Sequence, residues 1–228
     1  MIDEDTELIH VRHVKATKEE KFSKAYPVDI TYTTQVSDYG WQKPAKNGEL
    51  GGTIGKSKQL ETMNITVKSL NDSDSDLSVK YNAHVADIGW QGKTNDVSTW
   101  KKDGENAGTV GKSKQLEALQ IQLTGTDAEK YDVYYRVHAA DFGWLSWAKN
   151  GAIAGTAGYG KRLEAVQIIV VERDSEAPGT LEGITSVNKQ AYVHKTMHGI
   201  KEQLRKKRLP IQKMEKKHMY VKSVVPRK

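Results

Sequence analysis

Polar and apolar residues alternate in short runs through the middle of the chain, and three such runs end successive segments. They are Met63, Ile65, Val67; Leu119, Ile121, Leu123; and Val166, Ile168, Val170. A period of two with β-branched content predicts half-buried strands. An earlier alternating run starts each segment, at Tyr32, Tyr81 and Tyr135. Between the two runs stand turn triplets, Lys46-Asn47-Gly48, Lys102-Asp103-Gly104 and Lys149-Asn150-Gly151, and then further glycines. Asn-Gly and Asp-Gly steps reverse a strand cheaply because these residues tolerate positive φ. The connections 68–80 and 124–134 are rich in Asp, Ser, Asn and Gly, as exposed links should be.

The three segments are copies of one another. Aligned on Gly40-Trp41, Gly89-Trp90 and Gly143-Trp144, each has its tyrosine nine residues before the Trp and an aspartate (Asp38, Asp87, Asp141) three before it. Four residues past the turn glycine comes Gly-Thr-x-Gly, at 52–55, 108–111 and 155–158. Five past that comes Leu-Glu, at Leu60-Glu61, Leu116-Glu117 and Leu163-Glu164. The only length difference inside the units is a seven-residue insertion after Trp90.

A unit of 36 or 43 residues (32–67, 81–123, 135–170) cannot bury its apolar face alone. Three can close around a shared axis. Propellers usually have four blades or more. The expectation is therefore an all-β, pseudo-threefold domain over 28–173, with a β-prism favoured and a β-trefoil as the alternative.

Composition sharpens this in two places. The chain of 228 residues has no cysteine, which removes disulfides and thiolate chemistry. Its net charge of +6 is not spread evenly: residues 174–228 carry 13 Lys and Arg against 5 Asp and Glu, whereas 28–173 carry 17 against 18. The repeat region thus has no basic field for a polyanion, and no nucleic acid is expected on it. The start, Met1-Ile2-Asp3-Glu4-Asp5, lacks the basic-then-apolar pattern of a signal peptide.

The pattern Tyr-x-x-His-x-x-Asp-x-Gly-Trp, followed by Gly-Thr-x-Gly and Leu-Glu-Ala, resembles the clostridial hydrophobic repeat with its tryptophan, the ChW repeat. The second and third copies match closely; the first has Gln35 in the His position and Met63 where the others have Leu or Val. The resemblance covers roughly residues 30–172. It implies a secreted or surface-exposed protein, mostly of Gram-positive bacteria, with carbohydrate or cell-wall binding as the suggested role.

The candidate ligand-binding residues are aromatic and acidic. Trp41, Trp90 and Trp144 could stack on a sugar ring while Asp38, Asp87 or Asp141 accepts hydroxyl hydrogen bonds. A residue fixed in every unit is more often architectural, however, and packs its indole in the core. Trp100 and Trp147 are therefore the better candidates, since Pro44 replaces them in the first copy.

Other patterns carry less. His84 and His138 precede Asp87 and Asp141 by three, which on a strand puts them on opposite faces. They read as hydrogen-bonded structural residues, and with Gln35 in the first copy no threefold metal site results. Glu61, Glu117 and Glu164, one per unit, suggest a turn or cap. Gly55-Lys56-Ser57 and Gly111-Lys112-Ser113 lack the upstream glycine of a phosphate loop, with Leu50 and Asn106 in its place.

The ends differ from the middle. Residues 1–27 form an extension with one short alternating run, Ile9 to Val14. In the basic tail, 174–228, Val193, Met197, Ile200 and Leu204 share one helical face ahead of Arg205-Lys206-Lys207-Arg208, predicting an amphipathic helix over 187–208 within a helical or disordered tail. Such a tail is the one place where membrane contact is expected.

The reading that follows is a non-catalytic binding module at the cell surface or outside the cell, recognising polysaccharide or cell-wall polymer, with another protein as a further partner. The alternatives are the cell-wall-targeting part of a bacterial or phage lytic hydrolase, and a protein-binding adhesin. No catalytic residue, cofactor or metal is expected.

Overall fold

The computed structural model describes residues 27–179, 181 and 183–187. The extension before Pro27, with its Ile9–Val14 run, and the helix expected over 187–208 lie outside the described residues apart from Val187.

Each unit folds the same way. The first runs β1 (Val28–Val36), β2 (Gly40–Trp41), β3 (Ala45–Lys46), β4 (Gly51–Gly52) and β5 (Leu60–Ser69). The second runs β6 (Ser78–Val85), β7 (Gly89–Trp90), β8 (Lys101–Lys102), β9 (Ala107–Gly108) and β10 (Leu116–Thr124). The third runs β11 (Tyr131–Ala139), β12 (Gly143–Trp144), β13 (Ala148–Lys149), β14 (Ala154–Gly155) and β15 (Leu163–Glu172). The first and last strands of a unit form a long antiparallel pair, with Tyr32 opposite Ile65, Tyr81 opposite Ile121 and Tyr135 opposite Ile168. In β1, buried residues alternate strictly with partly exposed ones, as its sequence predicts.

The short fourth strand of each unit leaves its own sheet. β4 pairs with β15, β9 with β5, and β14 with β10. Each unit thus donates a strand to a neighbour, and the donation runs once around the ring and closes. Three five-stranded sheets result. They remain separate sheets around one core, which is the prism arrangement rather than the single barrel of a trefoil.

Tyrosine knits that core. Tyr32, Tyr81 and Tyr135 are fully buried, and each hydroxyl donates to a carbonyl in its own unit, Glu49, Glu105 or Ala152. Burial pushes the Tyr81 phenol up to about 12, so the hydroxyl stays protonated and remains a donor. The same turns bind the neighbouring unit: the N–H of Gly48 donates to Ile168 (2.7 Å), that of Gly104 to Ile65 (2.8 Å) and that of Gly151 to Ile121 (2.7 Å). Around the tyrosines pack Val28, Ile30, Leu60, Met63, Ile65 and their equivalents in the other two units.

The compact unit extends beyond the expected end at 173. After β15 the chain returns across the third sheet. Ala177 lies against a small outer cluster of Tyr134, Trp147 and Ile169, and Ser186 forms a parallel bridge with Gly155.

Candidate functional site

Three equivalent surface sites follow from the turn between the first two strands of each unit. In the first, the N–H of Tyr39 donates to Val36 (3.2 Å), with Ile88 to Val85 (3.1 Å) and Phe142 to Ala139 (3.1 Å) in the others. Each turn needs a residue of positive φ, and the recurring aspartate supplies it: φ is 65° at Asp38, 63° at Asp87 and 69° at Asp141. Asp tolerates this conformation better than most side chains. The three carboxylates are exposed and ion-paired, with Lys58 (2.5 Å), Lys114 (2.6 Å) and Lys161 (2.5 Å). Lys114 holds the Asp87 carboxyl below its ordinary range, first by hydrogen bonding and then by charge, and Lys161 does the same at Asp141. Turn geometry and a lysine therefore account for the aspartates.

The tryptophan directly after the turn lies on the sheet surface. Trp41 is 43% exposed, and Trp90 and Trp144 are half-buried. Trp90 stands opposite His84 in register, with the rings edge to face at 5.4 Å; Trp144 and His138 repeat this at 5.6 Å. In the first unit Gln35 takes the imidazole's place opposite Trp41.

Beneath these pairs sit the glutamates, and here the expected turn or cap role is corrected. Glu61, Glu117 and Glu164 are the extra residues of β-bulges near the start of β5, β10 and β15. Each is at least nine-tenths buried. A bulge places two residues against one and re-aims the side chain. Glu117 Oε2 lies 3.2 Å from His84 Nδ1, and Glu164 Oε2 lies 3.1 Å from His138 Nδ1. Burial lowers both imidazoles below their ordinary pKa, with the carboxylates opposing. Asp87 and Asp141 lie in the turns beyond β6 and β11, and the histidines of those strands face the glutamates of another strand instead.

The neighbouring unit covers the glutamate. The N–H groups of Thr53, Thr109 and Thr156 donate to the carbonyls of Glu164, Glu61 and Glu117 at 2.9, 2.8 and 2.6 Å. The N–H of Gly158 adds a bond to Glu117 Oε2 (3.1 Å). Each site thus stands on strands of one unit and a loop of the next.

The order of exposure among the tryptophans reverses the expected one. Trp100 is 6% exposed and Trp147 only 3%, so neither can offer a face to a ligand. Trp100 anchors the seven-residue insertion: its Nε1 donates to Lys93 (2.7 Å), while Asn82 and Gln120 tie down Gly92 and Thr94. Trp147 lies under the returning C-terminal segment, with the Arg136 guanidinium 4.7 Å from its ring. Both stand where an extra segment covers the sheet. Among the described residues the first unit has no such cover, and Pro44 stands at this position.

The third site differs from the others in its cation. Arg136 also lies 4.8 Å over Trp144, so one face of that indole is already engaged. Among the described residues, no three His, Asp or Glu side chains group as metal ligands would.

Residues 35–68, 84–125 and 138–172 match the family model described as ChW, clostridial hydrophobic W. No curated protein and no solved structure matches the chain.

Proposed function

The three units are ChW repeats, a binding type of repeat rather than a catalytic family, and from that premise we propose that the domain recognises polysaccharide or cell-wall polymer through Trp41, Trp90 and Trp144. One observation carries the reading: an indole that the core does not need for packing recurs on the surface at three related positions. Trp41 keeps 43% of its surface open to solvent. An aromatic face of this kind suits the C–H face of a sugar ring. The ion pair on the same turn, Asp38 with Lys58 or its equivalents, supplies acceptors and donors for hydroxyls.

Three weak sites on one rigid frame suit a repeating polymer, since engaging one raises the effective concentration at the next. Such recognition would place the protein at the cell surface or outside the cell. Sites on interlocked strands hold their spacing, and spacing selects a polymer over its monomers.

The test is co-sedimentation with purified cell walls and a panel of insoluble polysaccharides. We expect wild type to sediment with at least one of them. Replacing Trp41, Trp90 and Trp144 together by Ala should weaken that by about tenfold or more, with the far-UV circular dichroism spectrum unchanged. Wild type that binds none, or a triple variant that binds equally, overturns the reading.

A further inference from the structure

The short strands that cross between units expose a second edge, and two of its three copies are closed, each in its own way. Gly52, Gly108 and Gly155 each turn N–H and C=O away from the strand they join. At Gly155 the chain itself supplies the partner: the N–H of Gly155 donates to Thr185 (3.0 Å), and its carbonyl accepts from Val187 (2.8 Å). The N–H of Ser146 extends this pairing with a bond to Ile184 (3.0 Å).

At Gly108 a side-chain amide imitates that strand. Gln91 Oε1 accepts from the N–H of Gly108 (2.7 Å), and Gln91 Nε2 donates to its carbonyl (3.0 Å). Gln42 is the counterpart of Gln91 in the first unit, but its Nε2 donates instead to Gly40 (2.9 Å). Among the described residues, nothing bonds the outward N–H and C=O of Gly52, or the N–H of Lys43, the counterpart of Ser146. These are the three backbone groups that hold residues 184–187 at the third unit.

The geometry points to Gly52 and Lys43 as a strand-addition site for an extended segment of a partner protein, laid parallel to β4 as Ile184–Val187 lie beside β14. An unpaired edge is a template for a polypeptide backbone in extended form. The internal strand fixes the rest: its sequence, Ile-Thr-Ser-Val, is β-branched and small, and its direction is parallel. Exposed apolar side chains bracket the vacant edge in sequence, Tyr39 and Trp41 before Lys43 and Ile54 after Gly52. The corresponding edges offer no such opening, because Gln91 and the C-terminal segment fill them. The inference rests on backbone groups and a peptide, and shares with the polysaccharide reading only the Trp41 side chain.

The probe is a synthetic peptide of residues 181–188, Leu-Glu-Gly-Ile-Thr-Ser-Val-Asn, titrated into the ¹⁵N-labelled full chain. Saturable amide shifts at Lys43 and Gly52 are expected, and their loss when the peptide carries an N-methyl group at its Val. Shifts confined to Ser146 and Gly155, meaning that the chain's own strand is displaced, overturn the proposal. So do shifts that survive N-methylation, or none at Lys43 and Gly52. Lys43→Pro removes one donor and should weaken the peptide about fivefold. Unchanged affinity in a folded variant removes that contact, and the N-methyl comparison on wild type decides the matter whether or not the variant folds.

Discussion

The hydroxyl of Tyr32, in the first strand of the domain, accepts a hydrogen bond at 3.3 Å from the backbone N–H of Ile168, in its last. It also donates to the carbonyl of Glu49. One buried oxygen thus ties the beginning of the ring to its end. Tyr81 and Tyr135 make the equivalent donation within their own units.

Tyr32→Phe should therefore cost about 1–3 kcal/mol, because it leaves the buried N–H of Ile168 without its acceptor and the Glu49 carbonyl without its donor. Urea unfolding measures this. A cost no larger than that of an exposed substitution such as Tyr39→Phe would show that the oxygen does not close the ring.

Gly108 has φ +114°, and a methyl group there would lie 2.3 Å from the carbonyl oxygen of Glu61. Gly108→Ala should cost about 2–4 kcal/mol, combining left-handed strain with a backbone clash. Gly111 also has positive φ but nothing within 4 Å of such a methyl, so Gly111→Ala should cost only about 1–2 kcal/mol. Equal melting temperatures for the two variants would refute the close approach between units.

The half-buried imidazoles predict the acid limb of stability. His84 is lowered from 6.5 by burial, with Glu117 opposing the shift. Between the folded and unfolded values the unfolded chain binds more protons, so this contribution is complete above 6.5 and is lost as pH falls from there towards the lower folded value. His138 behaves likewise. His84→Gln with His138→Gln, copying Gln35, should flatten the dependence of the urea midpoint on pH in that window. An unaltered slope would assign the titration to other groups.

Two tryptophans should separate stability from binding. Trp100→Ala removes a buried side chain and the anchor of an insertion, and should cost about 3–5 kcal/mol by thermal or urea unfolding. Trp41→Ala, at a half-open surface position, should cost no more than about 1 kcal/mol while weakening polymer binding. The reverse ranking in unfolding would contradict the burial of the two rings.

The sequence read alone gives the strands, the turns, the three units and their closure. These are local or periodic properties: alternation of period two, residues that accept positive φ, and spacing that repeats. Asp38, Asp87 and Asp141 were legible as recurring, and their φ values explain why. Their pairing with Lys58, Lys114 and Lys161 could have been found, since those lysines also recur in register.

Which tryptophan is covered was not legible, because cover comes from elsewhere in the chain. Trp100 is buried by the insertion before it, and Trp147 by the segment after β15, whose Ala177 packs against its cluster. The glutamates were misassigned for a related reason. A bulge is a mismatch between two strands, and Leu-Glu-Ala in one of them does not announce it.

Repetition, by itself, determined that three β units must share one core, because a unit this small leaves its apolar side wet until others cover it. Only the tertiary structure decided that the units exchange strands. That exchange depends on hydrogen bonds between backbones far apart in sequence, and a backbone group carries no side-chain signature of the partner it will meet. The same fact leaves Gly52, identical in sequence to Gly108 and Gly155, as the one of the three with an open edge among the described residues.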